Sequence, residues 1–242
     1  MTTATYTRYE LLRAFRNVRF FVLALAFPLV MFLLIAGPNR HEQLDGISFP
    51  VYYMTGMISW GAMAAVIASG ARIAVERSVQ WHRQLRVTPL PVRTYFRAKI
   101  ESGYAMASLT IILLYLAGIS LGVRLPVSGW LTMTVLILIG LIPFAVLGIL
   151  IGHLLTADSI GPAIGGLTAL FALLGGAWGP VLGEGALRTI SKGLPSYWIV
   201  QAGTSAVTGE GWPLVAWIVV AVWTLVLSVL AVRVYQRDTA RT

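Results

Sequence analysis

An all-α polytopic membrane protein with six transmembrane helices is the fold class this chain predicts, and three observations predict it. Hydrophobic residues make up 57% of the sequence and charged residues only 11%, with a mean hydropathy of +0.80. The apolar residues gather into six runs, Phe20–Gly37, Val51–Ala71, Ala98–Gly122, Trp130–Leu155, Ile160–Leu182 and Gly211–Val232. Each run is long enough to cross about 30 Å of hydrocarbon at ~1.5 Å per residue. Lys and Arg then cluster in alternate gaps between the runs. A chain in lipid must satisfy its backbone polar groups internally, which leaves helices or closed barrels. Barrel strands alternate in polarity over about ten residues. Runs such as IILLYLAG and IVVAVWTLVLSVLAV do not alternate, so helices are expected.

The charge pattern sets the expected orientation. With the amino terminus inside, the interior segments hold all but four of the 18 Lys and Arg residues; the exceptions are Arg40, Arg124, Arg188 and Lys192. Basic residues are retained on the cytoplasmic side of short loops, so both termini are expected there. The acids divide almost evenly between the two sides, which leaves the net charge of +9 on the inner face. That face suits anionic membrane lipid or an acidic partner surface rather than nucleic acid. With no cysteine there is no disulfide or thiolate chemistry, and His41, His82 and His153 are too scattered to hold a metal.

Residues 5–19 read as an amphipathic helix at the inner interface. Leu11, Ala14, Phe15, Val18 and Val22 share one stripe, Arg13, Arg16 and Asn17 point away from it, and Arg8 and Arg19 flank it. Pro28 either kinks the first span or is simply tolerated there. The second span is rich in small residues, from Gly56, Ser59, Gly61 and Ala62 to Ser69, Gly70 and Ala71. Small residues let helix backbones approach closely, which serves packing in the bundle, a subunit interface or a translocation surface.

The gap Glu76–Lys99 reads ERSVQWHRQLRVTPLPVRTYFRAK. Residues 76–87 can form a helix, and Pro89 and Pro91 stop it from running on into the third span. Val79, Trp81 and Leu85 give this basic element apolar contact residues. It can dock into a groove of another protein or lie in the headgroup zone. The fourth span contains Pro143, and the turn LTADSIGP after it carries Asp158 as a contact residue or helix cap. The fifth span is glycine-rich. Residues 181–210 then hold scattered apolar residues interrupted by Pro195, and are expected as short re-entrant helices, with an exposed outer loop as the alternative. The last span ends at Arg233, ahead of Arg237 and Arg241 in the tail.

No GxxxxGK[ST] loop is present to cradle nucleotide phosphates, and no HExxH occurs. The chain therefore reads as a non-catalytic framework moved by a partner's energy. Its nearest likeness lies in Glu76–Arg77, Trp81, Leu85–Arg86, Thr88–Pro89–Leu90–Pro91 and Tyr95–Phe96–Arg97–Ala98–Lys99, followed by IPFAVLGILIG at 142–152 and Leu194–Pro195–Ser196–Tyr197–Trp198. In this order and spacing they resemble the membrane subunit of ABC-2 type transporters, the permeases of bacterial drug, lipid and polysaccharide export. Gln80 stands where many members carry a small residue pair.

The resemblance implies a single transmembrane domain over 1–242, an interfacial helix at 5–19, a coupling helix at 77–87 and external re-entrant helices at 181–210. It implies two such permeases, as a homodimer, with two separate ATPase subunits that hold the ATP and Mg2+; no cofactor is expected in this chain. Glu76, Arg77, Trp81, Arg83, Leu85, Arg86 and Asp158 would couple to the ATPase, with a second contact through the interfacial helix and its Arg13, Phe15 and Arg16. Tyr197 and Trp198 are candidates for an outer gate, although an ordinary aromatic belt accounts for them equally. The implied cargo is a hydrophobic or amphipathic drug, antibiotic or lipid-like molecule. Polysaccharide or glycolipid export and ion-driven transport are the alternatives.

Because the chain lacks cysteine, orientation is open to single-cysteine mapping. Arg40→Cys is expected to react with a membrane-impermeant maleimide in intact cells, and Arg237→Cys only after permeabilisation. The opposite pattern would reverse the assigned sidedness.

Overall fold

The computed structural model describes residues 3–16, 22–44, 46–80, 91–180 and 185–239. Helix α1 spans Thr3–Phe15, a π-helical turn spans Val22–Ala26, and α2 follows at Phe27–Ala36. A two-stranded antiparallel hairpin, β1 (Gln43–Leu44) and β2 (Ile47–Ser48), leads into α3 at Phe49–Ser78. Then come α4 (Val92–Ser120), α5 (Val127–Gly140), α6 (Ile142–Leu154), α7 (Ile160–Gly175), α8 (Ala186–Lys192), α9 (Pro195–Thr208) and α10 (Leu214–Thr239).

The six-span expectation is corrected by this structure. Among the described residues four helices are long and apolar enough to cross a membrane: Phe49–Ser78, Arg93–Ser120, Val127–Leu154 and Leu214–Arg237. The first and fifth apolar runs yield only the shorter helices Ala24–Ala36 and Ile160–Gly175. Hydropathy runs on through backbone breaks that helices do not. In the first run Pro28 sits in the opening turn of α2, directly after the π turn, where its missing N–H costs least. In the fifth run Gly176 takes a left-handed φ of 78° and ends α7, a conformation that suits a residue without Cβ. The re-entrant hairpin expected at 181–210 is corrected as well. Residues 186–208 form two helices of 7 and 14 residues, and the second is core. Ile199 and Ala202 of α9 are fully buried, packed with α3, α5 and α7.

α3 is the axis of the molecule. It packs most extensively on α4 and α6 and also touches α2, α7 and α9. Its side chains Met54, Met57, Ile58, Met63 and Ile67 are fully buried. Its small residues serve close packing within the bundle. Gly148 and Gly152, four apart on α6, face Gly70 of α3. A Cβ at Gly148 would lie 2.5 Å from the Ile67 carbonyl oxygen, and one at Gly152 would lie 2.8 Å from that of Gly70. Backbone rests on backbone there, the geometry that small-xxx-small pairs allow where lipid supplies no hydrophobic drive. The fourth run is a single apolar stretch interrupted at Leu141, where Pro143 removes one backbone donor from the opening turn of α6.

Gly148→Leu is expected to lower the midpoint of thermal unfolding in detergent, at a cost of about 1–3 kcal/mol from overpacking. Gly165→Ala, where an added Cβ meets nothing within 4 Å, should leave the midpoint level or raise it slightly. Equal losses in both variants would remove the α3–α6 crossing as the cause.

Candidate functional site

Six ionisable side chains converge where α1, α3 and α4 meet. Lys99 on α4 is fully buried and donates from Nζ to Glu10 Oε1 of α1 and to Glu76 Oε1 of α3, each at 2.5 Å. Arg13 of α1, half exposed, donates to the same Glu76 oxygen at 3.0 Å. Tyr95, one turn before Lys99, donates its hydroxyl to Glu76 Oε2 at 2.5 Å. Arg72, one turn before Glu76, reaches the Arg13 carbonyl at 3.4 Å.

Helical spacing explains why these groups meet. Tyr95 and Lys99 are four apart on α4, Arg72 and Glu76 four apart on α3, and Tyr6 and Glu10 four apart on the buried side of α1. Tyr6, Ile73, Tyr95 and Ala98 form a small apolar cluster beside the charges. Side chains on a helix tilt towards its N-terminus, so Lys99 leans back towards the start of α4 and its ammonium reaches the carboxylates. The backbone there is also tied across helices, with Ser69 Oγ donating to the Lys99 carbonyl at 2.7 Å.

Next to this network, α3 is fastened to α6. Arg77 Nη1 donates to the His153 carbonyl at 2.6 Å, at the last turn of α6. Phe96 of α4, His153 of α6 and Tyr235 of α10 stack edge to face around the same level, with ring centroids 5.4–6.1 Å apart. Four helices that come from distant parts of the sequence are thereby locked at one end. Beyond it, α3 ends at Ser78, Gln80 adopts a positive φ of 55°, and Pro91 caps the start of α4.

The residues expected to couple to a partner divide into three groups. Glu76 and Arg77 belong to the buried framework just described. Trp81, Arg83, Leu85 and Arg86 lie outside the described residues. Asp158 is exposed in the turn between α6 and α7, whose hydrogen bonds are made by Ser159, with its Oγ accepting from the Thr156 N–H at 3.1 Å. Arg13 on α1 and Arg16 just past its end are exposed, and the side chain of Phe15 lies outside the described residues. Among the described side chains the buried ones of α1 are Tyr6 and Glu10, because Glu10 has to meet Lys99. Tyr95 and Lys99 stand out in the sequence only through family likeness and Glu10 and Arg72 not at all; the signal for the charged ones is opposite charges near the ends of apolar helices.

At the opposite end of the bundle, Trp198 is buried and staples α9 to α8 by donating from Nε1 to the Lys192 carbonyl at 2.9 Å. Tyr197 packs edge-on against it at 5.1 Å. Tyr197 also lines a cavity of about 290 Å3, together with Ile47, Tyr52, Arg188, Gln201 and Thr204. Tyr197 and Trp198 thus differ: one lines an opening and the other holds two helices together. Among the described residues no cluster of His, Cys, Asp or Glu has the arrangement of a metal site.

Removing one member of a buried ion pair leaves an uncompensated charge, which typically costs about 3–5 kcal/mol. Lys99→Met is therefore expected to lower the thermal midpoint sharply. Adding Glu10→Gln and Glu76→Gln to it should recover part of the loss. Additive losses in the triple variant would show that the three groups are not coupled.

Comparison with known proteins bears on this architecture directly. Residues 38–233 match the family model described as "ABC-2 family transporter protein". The chain is 29% identical over 192 residues to "Putative transport permease YvfS" of Bacillus subtilis (strain 168), a match that covers 78% of each chain. A multi-pass bundle of apolar helices locked together at one end, matched to that model over most of its length, belongs to the ABC-2 family of membrane transport proteins.

Proposed function

We propose that this chain is the permease subunit of an ATP-driven exporter, moving hydrophobic or amphipathic molecules such as drugs, antibiotics or lipid-like compounds out of the cell. The observation that carries the reading is the route of α3. This one helix runs from the hairpin end, through the centre of the bundle, to the buried network at Glu76, and leaves it just before residues 81–90. A push on those residues is delivered to α3, and through Lys99, Glu10 and Arg77 to α4, α1 and α6 without a flexible joint among the described contacts.

In this reading Trp81 and Leu85 touch a separate ATPase, Arg83 and Arg86 meet its polar rim, and Asp158 adds a smaller contact. Glu76 and Arg77 hold the element in position from behind. The ATPase, bound as two copies to two permeases, supplies ATP and Mg2+. Both termini lie on the ATPase side, the side on which the basic residues gather. An apolar or amphipathic cargo is favoured because burying charge along a lateral route is expensive. The cavity beside Tyr197, mixed in lining and close in size to small-ligand pockets of about 300 Å3, is the outer end of that route, with Tyr197 at its gate.

The reading is tested by ATP hydrolysis in proteoliposomes that contain the permease and the ATPase encoded beside it. Hydrolysis that responds to cargo, and loses that response in Trp81→Ala/Leu85→Ala with assembly intact, is the expected result. Failure to assemble with any ATPase would sink the exporter reading, and an unchanged response in the double variant would move the coupling element elsewhere.

A further inference from the structure

We infer that the outward face of α1 is a binding surface for anionic phospholipid headgroups, in the leaflet at the charged end of the bundle. Among the described side chains, those exposed on α1 are Arg8, Tyr9, Leu12 and Arg13, and Arg16 follows one residue past its end. Its one acid, Glu10, is buried against Lys99 on the other side. The face left to the surroundings is therefore cationic, with Arg13 paired to Glu76, and it is apolar in between, with Tyr9 61% and Leu12 48% exposed.

Helix length sets the depth of this face. α3 has 30 residues and α4 has 29, so each is about 43–45 Å long at 1.5 Å per residue. Hydrocarbon takes up about 30 Å of that, which leaves roughly five residues at each end in the headgroup layer. Glu76 lies within that margin at the end of α3, and Lys99 lies just past it from the start of α4. α1, pinned to both, sits at the boundary between acyl chains and headgroups.

At that depth the composition has one fitting neighbour. Leu12 meets acyl chain, Tyr9 takes the position that amphipathic rings favour, and the guanidinium groups of Arg8 and Arg16 reach phosphates, which they bind as paired donors. Helices of this kind, with arginine beside exposed apolar residues, bind anionic interfaces. A water-soluble protein partner would leave Leu12 and Tyr9 in the wrong layer. Arg13 is held by Glu76, so Arg8 and Arg16 are the arginines available to lipid. This inference does not rest on the transport reading, since it concerns the leaflet and not the ATPase.

The test uses the full-length chain with one cysteine, Leu12→Cys, labelled with bimane and reconstituted in phosphatidylcholine vesicles. Quenching by brominated phosphatidylglycerol is compared with quenching by brominated phosphatidylcholine, which gives the relative association of the two lipids at this face. Preference for phosphatidylglycerol is expected, falling about fivefold for each arginine removed in Arg8→Gln and Arg16→Gln. Arg8→Lys/Arg16→Lys should keep the preference, and molar salt should abolish it. Equal quenching by the two lipids in the parent protein would overturn the inference. So would a preference unaltered in the double Gln variant, or one lost equally in the Lys variant. If the Gln variant instead kept its lipid preference and lost the ATPase, the face would belong to a protein partner.

Discussion

An ammonium group removed from water has to be met by counter-charge, and the packing of this protein at one end follows from that requirement. Lys99 has no access to solvent and two carboxylates within 2.5 Å. Those carboxylates come from helices separated in sequence by more than sixty residues, so Lys99 meets both of them only when α1, α3 and α4 are assembled. The interaction adds little net stability, because desolvation cancels much of the attraction. Its effect is on arrangement. A slipped register would strand a charge in a medium that does not tolerate one.

The rest of the bundle relies on a different constraint. Helices in lipid gain nothing from hiding apolar surface from one another, so contact has to come from shape. Gly70, Gly148 and Gly152 provide it by letting α3 and α6 meet backbone to backbone. The charged end fixes which helices meet and the glycine crossing fixes how closely. Arg77, bonded to the final turn of α6 at His153, links the two.

Much of this was legible in the sequence, for physical reasons that differ by element. The apolar runs and the small residues of the second span signalled membrane helices in close contact, because composition acts directly on both. Glu76 and Arg77 stood out through family likeness, but their place inside the bundle did not, since burial of a charge depends on a partner from another helix. Lys99 and Glu10 carried no periodic signal; only the assembled fold brings them together. The ends of helices were the least legible. The break at Gly176 is a backbone event inside a run whose hydropathy never falters, and so sixteen residues of helix were read as a full span.

That shortened helix has a consequence for the lipid around it. Ile160–Gly175 extends about 24 Å at 1.5 Å per residue, some 6 Å less than ordinary hydrocarbon thickness. Leu170 and Leu173 remain on its exposed side. A helix of that length meets the bilayer by local thinning, by snorkelling of its flanking residues or by packing against a neighbour, each at a cost of fractions of a kcal/mol per Å.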